Sequence, residues 1–84
     1  MPDMHTRRRE LEEALTALVN SLAADIDAKN LDLLRDFIEN REFGVALEWL
    51  ISLLRERSVT ISQNQKQEIK RLADLMHIDL RDQP

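Results

Sequence analysis

Nine of the twelve residues in FGVALEWLISLL, from Phe43 to Leu54, are apolar, and no other stretch restricts the fold as tightly. Gly44, Glu48, Ser52 and Arg55 recur at spacings of three and four. In a helix they make one narrow polar stripe on an otherwise apolar cylinder. Such a helix needs neighbours on most sides and must be the most buried element of its domain.

The rest of the chain supplies those neighbours. Leu11, Leu15, Leu18, Val19 and Leu22 share one face of a helix predicted over residues 8–24. Leu31, Leu34, Phe37 and Ile38 line the apolar side of a second, over residues 30–40, with Asn30 as its N-cap and Leu33 on its flank. The apolar run itself falls in a third helix over residues 42–57. After an SVTI linker, Ser62 followed by Gln65 makes a capping-box pattern, and Ile69, Leu72, Ala73 and Met76 form the stripe of a fourth helix over residues 62–77. The tail DLRDQP is expected to fray. Short connections favour antiparallel neighbours, so the expected fold is all-α, a single compact four-helix domain spanning residues 1–84.

Size limits how this domain is stabilised. A chain of 84 residues buries roughly 60 to 65% of its extended surface, so leucines and isoleucines must carry most of the stability. Without cysteine there is neither a disulfide framework nor a thiolate metal site. The N-terminal MPDMHTRRRELEEAL has basic residues but lacks the unbroken apolar stretch of a signal peptide or membrane span. The expected location is cytoplasmic, with no membrane partner.

Gly44 is the only glycine and stands at the start of the third helix, where a missing Cβ suits a close helix-to-helix corner. A second apolar row on that helix, Val45, Trp49 and Leu53, lies beside the Phe43, Leu47, Leu50, Leu54 stripe. Two readings of it compete: packing against the first or fourth helix, or contact with a partner in which Trp49 is the anchor.

Charge is the other informative feature. Between Glu10 and Glu48, ten acidic residues stand against Lys29, Arg35 and Arg41, a local balance of −7 in a chain whose net charge is −4. Asp32, Asp36 and Glu39 line one side of the second helix, opposite its apolar side. That stripe is either an ordinary solvated surface or a docking face for a basic protein, and it disfavours nucleic acid.

Catalytic chemistry finds little purchase. There is no cysteine or tyrosine, and His5 and His77 lie at opposite ends of the chain, so no nucleophile with its base is evident. Asp25 and Asp27 lack the spacing and the glycine of a calcium loop, and His77 near the end of the fourth helix is explained by the helix dipole. Arg7, Arg8 and Arg9 sit next to Glu10, Glu12 and Glu13 and read as a solvated segment. Neither an enzyme, a metal site nor a cofactor is expected.

The run from Phe37 to Asp79 resembles the MafI family of small bacterial immunity proteins over about half the chain. The likeness lies in Glu42, Phe43 and Gly44, then Ala46, Leu47 and Glu48, followed by a polar linker and a helix ending near Met76. Arg41 stands where a glycine often precedes the glutamate of that pattern, and His77 where one often follows the methionine. The resemblance implies an immunity protein that binds the C-terminal domain of a cognate secreted toxin from a polymorphic, contact-dependent inhibition system. Many such toxins are nucleases with basic substrate-binding surfaces. On that reading Asp32, Asp36, Glu39, Glu42 and Glu48 supply charge complementarity and Trp49 the anchor. The competing classes are a helical adaptor that homodimerises through Val45, Trp49 and Leu53, and a nucleic-acid-binding regulator using Lys66, Lys70 and Arg71.

Overall fold

The computed structural model describes the backbone of residues 4–78 and the side chains of residues 8–78. The side chains of His5 and Arg7, Asp79 and the DLRDQP tail lie outside the described residues. Four α-helices follow one another: α1 (Met4–Ser21), α2 (Ala28–Glu39), α3 (Phe43–Glu56) and α4 (Gln63–Leu75), with a 3₁₀ turn at Ala23–Asp25 between the first two. There is no strand among the described residues, and the all-α four-helix class expected from the sequence is the one observed.

Helix α3 occupies the centre, as its composition requires. Phe43, Ala46, Leu47, Leu50, Ile51, Leu53 and Leu54 are buried, half of its fourteen residues. It packs against all three other helices. Leu15 of α1, Leu34 of α2, Leu47 and Leu50 of α3, and Leu72 of α4 are each fully inaccessible, so every helix contributes a leucine to one continuous core. The predicted apolar residues of α1 are all buried, and those of α2 and α4 are buried or partly so.

Two helix boundaries differ from expectation for local reasons. Helix α1 ends at Ser21 rather than near residue 24. There the Ser21 hydroxyl donates to the Leu18 carbonyl at 2.7 Å, and Asp25 N–H bonds Leu22 O at 2.9 Å in the tighter turn that follows. Helix α2 begins before Asn30, because Asp27 is its N-cap: its backbone is extended (φ −68°, ψ 155°) and its carboxylate accepts from the Asn30 N–H. Asn30 lies one turn inside the helix. The capping box of α4 is as expected, and the Gln65 amide also donates to the Ser21 hydroxyl at 3.1 Å, tying the start of α4 to the end of α1.

Three helices end in a left-handed residue, and none of the three is glycine. Arg41 (φ 63°), Ser58 (φ 52°) and His77 (φ 58°) occupy the position just beyond the caps of α2, α3 and α4. In each turn the next residue closes back on the helix: Glu42 N–H to Phe37 O at 2.8 Å, Val59 N–H to Leu54 O at 3.0 Å, Ile78 N–H to Ala73 O at 2.8 Å. The single glycine is elsewhere, in the first turn of α3 with no positive φ. Among the described residues outside its own helix, a Cβ built on Gly44 meets only the Ile78 Cδ1 atom, at 3.9 Å, an ordinary contact. No described backbone from another element comes within that distance, so the close-corner explanation of Gly44 is not borne out.

Four substitutions should change stability in a definite direction. Leu47→Ala opens a fully buried site and should cost about 2–5 kcal/mol in urea unfolding. Gly44→Ala should stabilise by up to about 1 kcal/mol, since helix propensity improves and nothing must move. Arg41→Gly and His77→Gly should each stabilise by up to about 1 kcal/mol by relieving the left-handed backbone. A destabilised Gly44→Ala protein would show that the missing Cβ is needed after all.

Candidate functional site

The acidic side of α2 and the exposed part of α3 meet at Trp49. In the row Val45, Trp49, Leu53, the third residue joins the core, while Val45 and Trp49 are the two large apolar side chains left exposed among the described residues, at 47% and 40%. Trp49 is therefore a surface residue, packed on one side only. Its ring meets that of Phe37 edge-on, with centroids 6.3 Å apart and planes at 67°.

Trp49 forms a wall of two open depressions. The larger, about 450 Å³, is lined by Lys29, Asn30, Asp32, Leu33 and Asp36 of α2. The smaller, about 240 Å³, is lined by Val45, Glu48 and Ser52 of α3. Of the six residues singled out from the sequence, Asp32, Asp36, Glu48 and Trp49 thus come together around one indole. Glu39 and Glu42 are exposed but line neither depression.

A line of side chains fixes the indole. Trp49 Nε1–H donates to Asn30 Oδ1 at 3.2 Å, and Asn30 Nδ2 donates to Asp27 Oδ1 at 2.8 Å. The Arg57 guanidinium beyond the end of α3 pairs with the same Asp27 oxygen at 2.9 Å. Asp27 and Arg57 flank opposite ends of their helices, so the line also shows that α2 and α3 run antiparallel. The Asn30 amide holds the Asp27 carboxyl below its ordinary range; desolvation opposes this, while the Asn30 N–H and Arg57 add to it.

Sequence reasoning gave Asn30 the wrong role and did not connect Asp27 or Arg57 to Trp49. The Asp-x-x-Asn spacing from Asp27 is the only local signal, since a cap three residues ahead competes with Asn30 for the helix start. An apolar groove between α3 and α4, about 490 Å³, was also missed. Ile51, Leu54, Val59, Ile61 and Ile69 line it, with Arg55 and Lys66 among its polar neighbours. Its residues come partly from the SVTI linker, which carries no periodic pattern.

Among the described residues no group of three or more His, Cys, Asp or Glu side chains is placed to hold a metal ion. Nor is any described helix long and apolar enough to cross a membrane. No family model, curated protein or solved structure matches the chain.

The lowered pKa of Asp27 has a consequence of definite sign. A carboxyl depressed in the folded state stabilises the fold above the unfolded value of about 4, and that contribution is lost as pH falls through the folded value. Asp27→Asn keeps a capping oxygen but loses the charge. Its melting temperature should lie below that of the parent at neutral pH and converge with it as the pH drops below about 4. A gap that stays constant with pH would remove the ionic part of this account.

Proposed function

We propose that this protein is an immunity protein that binds and neutralises a cognate toxin domain in the bacterial cytoplasm, working by occlusion rather than by chemistry. The observation that carries the reading is the exposed, hydrogen-bonded Trp49 set among Asp32, Asp36 and Glu48. An aromatic anchor inside an acidic surface suits a basic protein partner: the aromatic supplies contact area at low entropy cost and the acids speed encounter. A nuclease toxin, whose substrate-binding surface is basic, fits that description.

The resemblance to MafI immunity proteins gains support from the backbone. Its two departures from that family's pattern, Arg41 and His77, are both left-handed positions, where glycine is the favoured residue. The glycines of the pattern thus suit the geometry of this chain.

The competing readings find less support. Of the three basic residues of α4, Arg71 is committed to Glu68 through Nε at 2.7 Å and Nη2 at 3.0 Å, which leaves only Lys66 and Lys70 for a nucleic-acid-binding face. Homodimerisation through Val45 and Trp49 would set like-charged acids of two copies against each other.

The direct test is co-purification of the tagged protein from its native host at moderate salt, followed by mass spectrometry. Recovery of the C-terminal domain of a large secreted protein is the expected result; recovery of only the protein itself, or of nucleic acid, transfers the function to the adaptor or the regulator. With the toxin in hand, replacing Asp32, Asp36 and Glu39 together by alanine should slow association by roughly tenfold at low salt and flatten its salt dependence. Unchanged association rates would discard this face as the docking surface.

A further inference from the structure

We infer that the depression between α2 and Trp49 is a socket for an arginine side chain of the partner, whose guanidinium lies against the indole and pairs with Asp32 and Asp36. The inference rests on the reading that a basic partner protein docks on this face, and it names the group that enters.

Three observations support it. First, the indole is held before anything binds, by Asn30 on its nitrogen and Phe37 at its ring, and Asn30 is itself held by Asp27. A preset wall removes part of the ordering cost of binding. Second, Asp32 and Asp36 stand one helical turn apart, both exposed, and neither carboxylate has a hydrogen bond or ion pair among the described residues. Arg35, the neighbouring cation on α2, is directed to Asn20 Oδ1 at 3.2 Å instead. Third, Leu33 and Trp49 give the depression apolar wall where its acids give it charge.

These features match a guanidinium better than the alternatives. It is planar, weakly hydrated, stacks on aromatic faces and forks onto carboxylates, whereas an ammonium is compact and strongly hydrated. An aliphatic side chain would cover the two carboxylates without pairing them, at a desolvation cost. A second copy of this chain would bring its own acids to the same place. Lys29 is the one cation lining the socket, and it has no ion pair there among the described residues. It competes with the incoming group, so its removal should strengthen binding. Asn30 acts as a positioning residue through Trp49.

Trp49 is the only tryptophan and there is no tyrosine, so intrinsic fluorescence reports on this one indole, and the aspartate variants below separate the socket from the smaller depression on its other side. The probes are short blocked arginine, lysine and citrulline peptides of equal length, titrated at low ionic strength into the full-length protein. The arginine peptide should change the Trp49 emission saturably and bind at least about fivefold tighter than the lysine peptide, with no response to citrulline. Asp32→Asn with Asp36→Asn should weaken arginine binding by roughly tenfold or more, and Lys29→Ala should strengthen it. Asn30→Ala should lower the Trp49 fluorescence anisotropy and weaken arginine binding while leaving the charge unchanged, provided circular dichroism shows the helices intact.

Equal responses to arginine and lysine, or a response that survives loss of both aspartates, would overturn the socket. That failure is separable from failure of the immunity reading. A protein that captures a toxin domain but shows no arginine preference keeps its proposed function and loses the socket. One that prefers arginine but captures no toxin keeps the socket and loses the immunity role.

Discussion

Everything in this fold depends on covering α3. A helix that is apolar on nearly all sides cannot face water, and seven of its side chains are buried by the three helices around it. The neighbours can then afford amphipathic sequences with wide polar sides. Helix α2 buries only Leu34 and Ile38 completely, which leaves its acidic side free of structural duty. The demand of α3 is not met all round, however. On one side of α3 the cover stops short of Val45 and Trp49.

That incomplete cover explains how far the sequence could be read. Helix count, helix type and the leucine faces were legible, because they rest on periodicity sustained over several turns. The fate of Val45, Trp49 and Leu53 was not. The three lie on one side of α3, yet Leu53 is buried and the other two are exposed. Which part of a row finds a neighbour depends on how helices cross, and that has no signature within either helix. Asn30 illustrates the same limit at the level of caps. Both Asp27 and Asn30 are good capping residues, and the choice fell to Asp27, which the Arg57 pair from the end of α3 also holds in place. The acidic residues were legible as charges, but only the fold brings Asp32, Asp36 and Glu48 to one indole and leaves Glu39 and Glu42 outside.

The helix ends point to a related separation of sequence signal from backbone need. Glycine is the residue expected at a left-handed turn, and the described residues include three such turns, none of which holds the chain's one glycine. Hydrogen bonds from Glu42, Val59 and Ile78 back onto their helices hold the turns without it. Gly44 is thus free of the backbone argument. Its small size leaves the first turn of α3 open beside Ile78, which says nothing by itself about a partner.

The link from Arg57 through Asp27 and Asn30 to Trp49 joins the two themes. Each contact is exposed and individually weak in water, so their summed effect on folding is small. Their effect on recognition is of another kind. A free indole at the surface would sample several rotamers and lose that freedom on binding; one already bonded to Asn30 and set against Phe37 has lost much of it during folding. The cap of α2 would therefore serve the proposed docking face as well as the helix. On that proposal a substitution at Asp27 would disturb binding without touching the partner, while a core substitution such as one at Leu47 would act through stability alone.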